Sequence, residues 1–337
     1  MWSLVLLGLV AAVHVLMIAR VILVPVVIAV LLAFLFRPPI RGLRRAGVPA
    51  PLAALLVLAT LLALLGGGVY RLAGPAGSWL TAAPTTLRQV EQRVRTLREP
   101  VEDIRAAAGK LESLAAGPGP HPEPVVVSDG SLADAVFSQT GTLLAGTAVT
   151  FALLFLLLAA GDRLTARIAA LLPDGGDGAA LVADIEHKLS GYLVAVALIN
   201  AALGASVGLA AYLLGLPNPL LWAVLAALLN FIPYLGPMLG IGILAMVGLV
   251  TFAEPARALL PALAYFGLDV IEAYVVTPLV LGRRLALNPI AVLLGVIGWG
   301  WVWGVPGALL AVPLLVTLKI VCEEVATLRP IADLLAD

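Results

Sequence analysis

Apolar runs of about twenty residues recur along this chain, the length a helix needs to cross a ~30 Å hydrocarbon layer at ~1.5 Å per residue. They run from Ser3 to Ala19, Val21 to Phe36, Pro51 to Val69, Thr142 to Ala160 and Tyr192 to Leu216. Three more run from Leu220 to Phe252, Ala258 to Leu281 and Asn288 to Val321. Only Arg20 parts the first two, so they form either a tight hairpin or one long helix bent at Pro25. Two of the runs exceed one untilted crossing. Leu220–Phe252 is interrupted by Asn230-Phe-Ile-Pro233-Tyr234-Leu-Gly236-Pro237, and Asn288–Val321 by Trp303-Gly304-Val-Pro306-Gly307. Proline withholds a helical hydrogen bond and glycine relaxes the backbone, so each long run is expected to fold as a re-entrant hairpin. Broken backbone at membrane depth is tolerated only where it is buried in protein or lines a cavity. Interrupted segments entering from opposite sides are a pattern of transporters.

This pattern predicts an all-α integral membrane protein. It has about six to eight transmembrane segments, two broken hairpins and a helical arm outside the membrane. Lys and Arg in short connections set orientation. Arg37, Arg41, Arg44 and Arg45 follow the second run with no acid among them, so this connection is expected to be cytoplasmic. The resulting organisation is residues 1–72 as N-terminal spans, 73–140 as an extracytoplasmic helical arm and linker, and 141–160 as a span. A cytoplasmic helical segment (161–191), a C-terminal transmembrane core (192–325) and a cytoplasmic tail (326–337) complete it.

Within the arm, Leu87, Val90, Val94, Leu97, Val101, Ile104, Ala108 and Leu111 alternate steps of three and four. This is an a/d seam that packs on its own domain or, less favoured at this length, between subunits. A kink or boundary is expected at Pro100. The stretch from Gly117 to Pro124 reads as a linker, and Val125–Val127 as a short strand.

Composition agrees with the pattern. The 337 residues are 62% hydrophobic and 12% charged, with a mean hydropathy of +1.09. A soluble domain is about half apolar and about a quarter charged. The formal net charge is zero and no basic stripe exists, which argues against a nucleic-acid partner. The lone Cys322 excludes an internal disulfide and reads as a packing residue. The sequence carries no His-Glu-x-x-His, Walker A, Gly-x-Ser-x-Gly or zinc-ligand spacing. Neither an enzyme nor a cofactor or metal is expected.

Ionisable groups inside spans are costly and mark functional candidates. Asp269 and Glu272 lie in Ala258–Leu281, three residues apart and therefore on one helical face, with Tyr265 and Val276 above and below. Such a pair binds a cation, shares a proton or coordinates a polar solute. The alternative is a structural pairing with Arg283 or Arg284. Asn200 and Asn230 sit in apolar helices, where hydrogen bonding to a neighbouring helix is the commoner role. Asn230 also adjoins the first break, whose main-chain groups are free to meet a solute. His14 reads as a helix–helix hydrogen bond. Gly204/Gly208, Gly236/Gly240 and Gly300/Gly304 read as close helix contacts. Trp299, Trp301 and Trp303 form an interfacial belt or, at a hairpin tip, a gate.

Several longer motifs are more specific. They are Asn230-Phe-Ile-Pro-Tyr-Leu-Gly-Pro237, Ile271-Glu-Ala-Tyr-Val-Val-Thr-Pro278, Leu281-Gly-Arg-Arg-Leu-Ala-Leu-Asn-Pro289, and Trp299 to Pro313. With the Arg-rich turn and Ile199-Asn200, the chain resembles the autoinducer-2 exporter family of bacterial membrane proteins over essentially its whole length. The resemblance implies an oligomeric, α-helical inner-membrane permease. Its family name comes from export of a quorum-sensing signal, and some relatives resemble sodium/proton antiporters.

The expected function is a secondary transporter or facilitator that exports a small polar solute, such as autoinducer-2. Alternatives are a sodium/proton antiporter and a non-transporting scaffold that binds a partner through the arm. Candidate pathway residues are Asn200, Asn230, Pro233, Tyr234, Gly236, Pro237, Asp269, Glu272, Trp303, Gly304, Pro306 and Gly307. Arg283, Arg284, Asn288 and Pro289 are expected to form a cytoplasmic anchor or gate. Expected partners are the lipid bilayer, the solute, a coupling cation or proton, and further copies of the chain.

Overall fold

The computed structural model describes residues 2–109, 132–170, 178–281, 287–324 and 329–335. The linker 117–124, the expected strand Val125–Val127, Leu111, Arg283 and Arg284 lie outside the described residues. Those described form helices and no strand.

The first helices are α1 (Trp2–Ile18), α2 (Arg20–Arg45), α3 (Ala50–Gly109), α4 (Leu132–Ala170) and α5 (Gly178–Leu214). They are followed by α6 (Pro219–Leu229), α7 (Leu235–Thr251), α8 (Pro255–Ile271), a π-helical turn (Glu272–Val276) and α9 (Thr277–Leu281). The chain then forms α10 (Pro289–Trp303), α11 (Val305–Glu324) and α12 (Arg329–Leu335). Among the described residues, six stretches are long and apolar enough to cross a membrane: Arg20–Arg45, Ala50–Ala82, Leu144–Gly161, Val182–Leu214, Pro255–Leu281 and Val305–Glu323. The protein is a multi-pass membrane protein.

The joint between the first two helices lies at Ala19, not at Pro25. Ala19 donates to the Val15 carbonyl and Leu23 to the Ala19 carbonyl, each at 2.8 Å, so hydrogen bonding carries across the joint. Pro25 is buried inside α2. The arginine-rich stretch expected as a connection is instead the last turns of α2, which continues through Pro38 and Pro39. Pro38 cannot donate to the carbonyl of Phe34, four residues back. Ser190 of α5 donates its hydroxyl to that carbonyl at 2.8 Å, so the freed acceptor is satisfied in trans. Arg44 and Arg45 fall in the last turn, where cations offset the helix dipole. α3 passes Pro100 without ending, so no helix boundary lies there. The helix carries the seam positions from Leu87 to Ala108.

Buried Ala29, Ala33, Ala53, Ala54, Leu154 and Leu158 pack α2, α3 and α4 together. A second cluster joins α5 to α8 through Leu203, Val207, Trp222, Leu244, Val247 and Tyr265. Leu189 and Tyr192 of α5 meet Val316 and Ile320 of α11 in a third. Gly204 and Gly208 let α5 approach α6, since a methyl at Gly208 would stand 2.6 Å from the Ala223 Cβ. Cys322 is buried, as a packing residue should be. His14 is exposed on α1 and, among the described residues, takes part in no helix–helix hydrogen bond.

Both long runs break where their prolines and glycines stand. α6 has 11 residues and therefore rises only about 16 Å, roughly half of the hydrocarbon layer. Leu216 and Trp222 at its start share a core cluster with Leu244 and Val247 towards the end of α7. The pair therefore enters and leaves on one side. α10 and α11 form the second hairpin, turned at Gly304 (φ 69°). Its tip is anchored to the N-terminal helix: Trp303 is buried and donates its indole N–H to the Leu16 carbonyl at 3.1 Å. Trp299 stacks beside it, with ring centroids 4.6 Å apart, whereas Trp301 is exposed. Trp303→Phe removes the donor and keeps most of the apolar bulk. It should lower stability by about 1 kcal/mol, the net worth of one hydrogen bond, read as an earlier unfolding transition in detergent.

Candidate functional site

The first hairpin turns through Pro233-Tyr234-Leu235. Tyr234 has φ 63° and ψ −55°, and Leu235 donates to the Pro233 carbonyl two residues back at 2.7 Å. This is a γ-turn of the positive-φ kind, a rare conformation for a side-chain-bearing residue. Strain of this type costs of order 1–3 kcal/mol and persists only where packing enforces it. The enforcement is visible at Gly236: a methyl there would overlap the Leu229 carbonyl, so α6 and α7 touch backbone to backbone at the tip. Gly307 meets the Trp299 carbonyl in the same way at the second tip. Gly300 has no such close contact, and Gly304 is the turn itself. The close approach expected of that pair therefore belongs to Gly307.

A cavity of about 620 Å³ lies beside the first tip, walled by α5, the α6–α7 turn, the α8–α9 segment and the α10–α11 pair. Asn200, Asn230, Pro233, Tyr234, Pro237, Asp269 and Glu272 all line it. Asn230 donates its Nδ2 to the Oδ1 of Asn200 at 3.0 Å, bridging α5 to the hairpin. The Nδ2 of Asn200 is buried and meets no acceptor among the described residues. The asparagine pair thus has both the expected helix–helix role and a spare donor in the cavity wall.

Asp269 and Glu272 stand at the change from α8 to the π turn. Thr277 donates its backbone N–H to the Glu272 carbonyl, five residues back. Its hydroxyl donates to Glu272 Oε1. The wide turn sits immediately before Pro278, which cannot donate to the carbonyl four residues back. Single π turns inside helices are frequent at functional sites. In the sequence Thr277 stands within a motif, and its signal is a hydroxyl five residues from an in-span glutamate and directly before a proline. Among the described residues the cavity wall carries two carboxylates and no Lys, Arg or His. The pairing with Arg283 or Arg284 falls outside the described residues, as does their role in a gate.

Other sequence candidates lie elsewhere. Trp303, Gly304, Pro306 and Gly307 are not in this cavity wall; the second tip is occupied with anchoring to α1. Gly236 is buried in the tip contact. Asn288 caps α10, accepting from the Ile290 N–H at 2.9 Å. Its own N–H donates to the Leu335 carbonyl of α12 at 3.0 Å, and Pro289 occupies the first turn of α10. Asn288 thus ties the start of α10 to the C-terminal helix. No group of His, Cys, Asp and Glu among the described residues is arranged to hold a metal ion.

Comparison with known proteins bears on this geometry. The model for the AI-2E family transporter matches residues 4–327. The chain belongs to the AI-2E transporter family. It is 25% identical over 326 residues to the AI-2 transport protein TqsA of Escherichia coli (strain K12), covering 95% of this chain and 90% of that one. It is 29% identical to MT0215 of Mycobacterium tuberculosis (strain CDC 1551 / Oshkosh), over 93% of this chain and 86% of the relative. With YueF of Bacillus subtilis (strain 168) it shares 26% identity, over 88% and 82% of the two chains. Both are named as transport proteins. In this AI-2E family transporter, the motifs from Asn230 to Pro237 and from Ile271 to Pro278 form facing walls of one cavity.

Proposed function

We propose that the protein is a secondary transporter or facilitator of the bacterial inner membrane that exports a small polar solute through the cavity beside the first hairpin. The observation that carries this reading is the cavity wall itself. It sets two carboxylates, two asparagine amides and a strained main-chain turn around about 620 Å³ of space within spanning helices. Such a site offers acceptors and donors to a solute rich in hydroxyl or carbonyl groups. The AI-2 named in the relative TqsA is a candidate.

The same wall favours a second reading, exchange of sodium for protons. Carboxylates with no basic neighbour among the described residues attract a cation and hold a shared proton. Purified protein in vesicles containing a pH-sensitive dye separates the two. A sodium gradient imposed with no organic solute present drives a pH change under the antiport reading. Under solute export no such signal appears, and cells lacking the protein accumulate the solute inside. If vesicles show no ion exchange and the metabolites of the two cell lines match, transport by this cavity is refuted.

A further inference from the structure

A second cavity of about 740 Å³ lies apart from the first, between α2, the start of α3, the end of α4 and the start of α5. Among the described residues its charged wall carries Arg37, Arg41, Arg44, Arg163 and Glu186. Its apolar wall includes Val30, Ala33, Leu157 and Leu158. Glu186 is buried, with its side chain 8% exposed, and pairs through Oε2 with Arg37. Arg41 stands 3.9 Å from the same oxygen. The other carboxylate oxygen, Oε1, is buried and accepts no hydrogen bond from a described residue. A buried acceptor left unmet costs its full desolvation, so it marks a place for a donor.

The depth of this cavity is fixed by the helices that form it. The apolar stretch of α4 ends at Gly161, that of α5 begins at Val182, that of α3 begins at Ala50, and α2 ends in its arginines. The charged wall therefore sits at headgroup level, and the apolar wall descends into the acyl region. Basic pockets between spanning helices suit lipid phosphates. A phosphate alone would pair with Arg41 and Arg163 and leave Glu186 Oε1 without a donor. A lone cation would do the reverse. One headgroup carries both charges on adjacent groups.

We propose that this cavity is a phospholipid site for phosphatidylethanolamine, with the phosphate between Arg41 and Arg163 and the ammonium on Glu186 Oε1. The acyl chains lie along Val30, Ala33, Leu157 and Leu158. The site ties the ends of four helices to a particular lipid and is independent of the transport pathway. Arg41 and Arg163 are exposed, so their removal leaves the core intact.

Native mass spectrometry of the full chain, released from vesicles containing equal phosphatidylethanolamine and phosphatidylglycerol, tests the assignment. Wild type should retain phosphatidylethanolamine over phosphatidylglycerol by about tenfold, the scale of one charge-assisted hydrogen bond. The Arg41→Ala, Arg163→Ala double variant should lose that retention by about tenfold or more. Glu186→Gln should bring the two lipids to parity while still binding phosphate. Soluble phosphoethanolamine, lacking chains, should fail to displace the lipid. Equal retention of both lipids by wild type overturns the proposal, as does full retention by the arginine variant. Displacement by soluble phosphoethanolamine also overturns it, because the site would then serve a free solute. If Glu186→Gln does not fold, the arginine variant and the wild-type lipid preference decide.

Discussion

Replacing Asp269 and Glu272 together by their amides, Asp269→Asn and Glu272→Gln, is expected to cut flux through reconstituted protein by about ten- to a hundredfold. That range corresponds to losing one charge-assisted contact of about 1.5–3 kcal/mol. Both side chains face the cavity, and no basic residue in its described wall would be left unpaired by the change. The fold should therefore survive and the defect should be one of transport. Flux that varies with pH in wild type should lose that variation in the double variant. Thr277→Val leaves the carboxylate in place and removes the hydroxyl that orients Glu272. It should weaken transport less and keep the pH dependence. Full flux in the double variant would remove both carboxylates from the pathway and leave its polar contacts to the asparagine pair and the main-chain turn. The readout is uptake into proteoliposomes at several external pH values.

The second large effect is structural. Gly236→Ala places a methyl on the Leu229 carbonyl, where no flexible side chain can give way. Overpacking of this kind costs typically 1–3 kcal/mol and more where backbone must shift. Gly242, on the same helix α7, has open space beside it. There the same substitution should be neutral or stabilising, because alanine favours a helix over glycine by up to about 1 kcal/mol. The pair is compared by thermal unfolding in detergent and by flux. Gly236→Ala should lower both, and Gly242→Ala neither. An unchanged melting temperature for Gly236→Ala would show that the hairpin tip is looser than described.

Much of this architecture was legible because the bilayer imposes a simple rule on sequence. Helices must be apolar, and breaks must carry proline or glycine. The breaks behind both hairpins follow from that rule, whereas the grouping of Asn200, Asn230, Tyr234, Asp269 and Glu272 around one space, without Trp303 to Gly307, comes from packing. The rule is silent where a partner far along the chain completes the chemistry. Pro38 looks like a helix stop until Ser190 supplies the missing donor. Trp303 looks like a gate until Leu16, 287 residues away, accepts its indole N–H. The π turn leaves no clear periodic trace, because only the five residues of α9 follow it, too few to display the shift of face that one extra residue introduces. Glu186 leaves no mark for a different reason. An acid between two apolar runs reads as solvated surface, and only packing shows that the carboxylate is buried against Arg37.

The shallow reach of α6 has an electrical consequence. Its 11 residues rise about 16 Å, roughly half of a ~30 Å layer. Under the sodium–proton exchange reading, a monovalent ion that reaches the tip from the side where the hairpin enters crosses roughly half of the transmembrane voltage. Of the ~2.3 kcal/mol that 100 mV supplies per charge, about half is thus spent on reaching Asp269 and Glu272. The remainder acts on release. Membrane potential should accordingly alter both apparent affinity and turnover, rather than turnover alone.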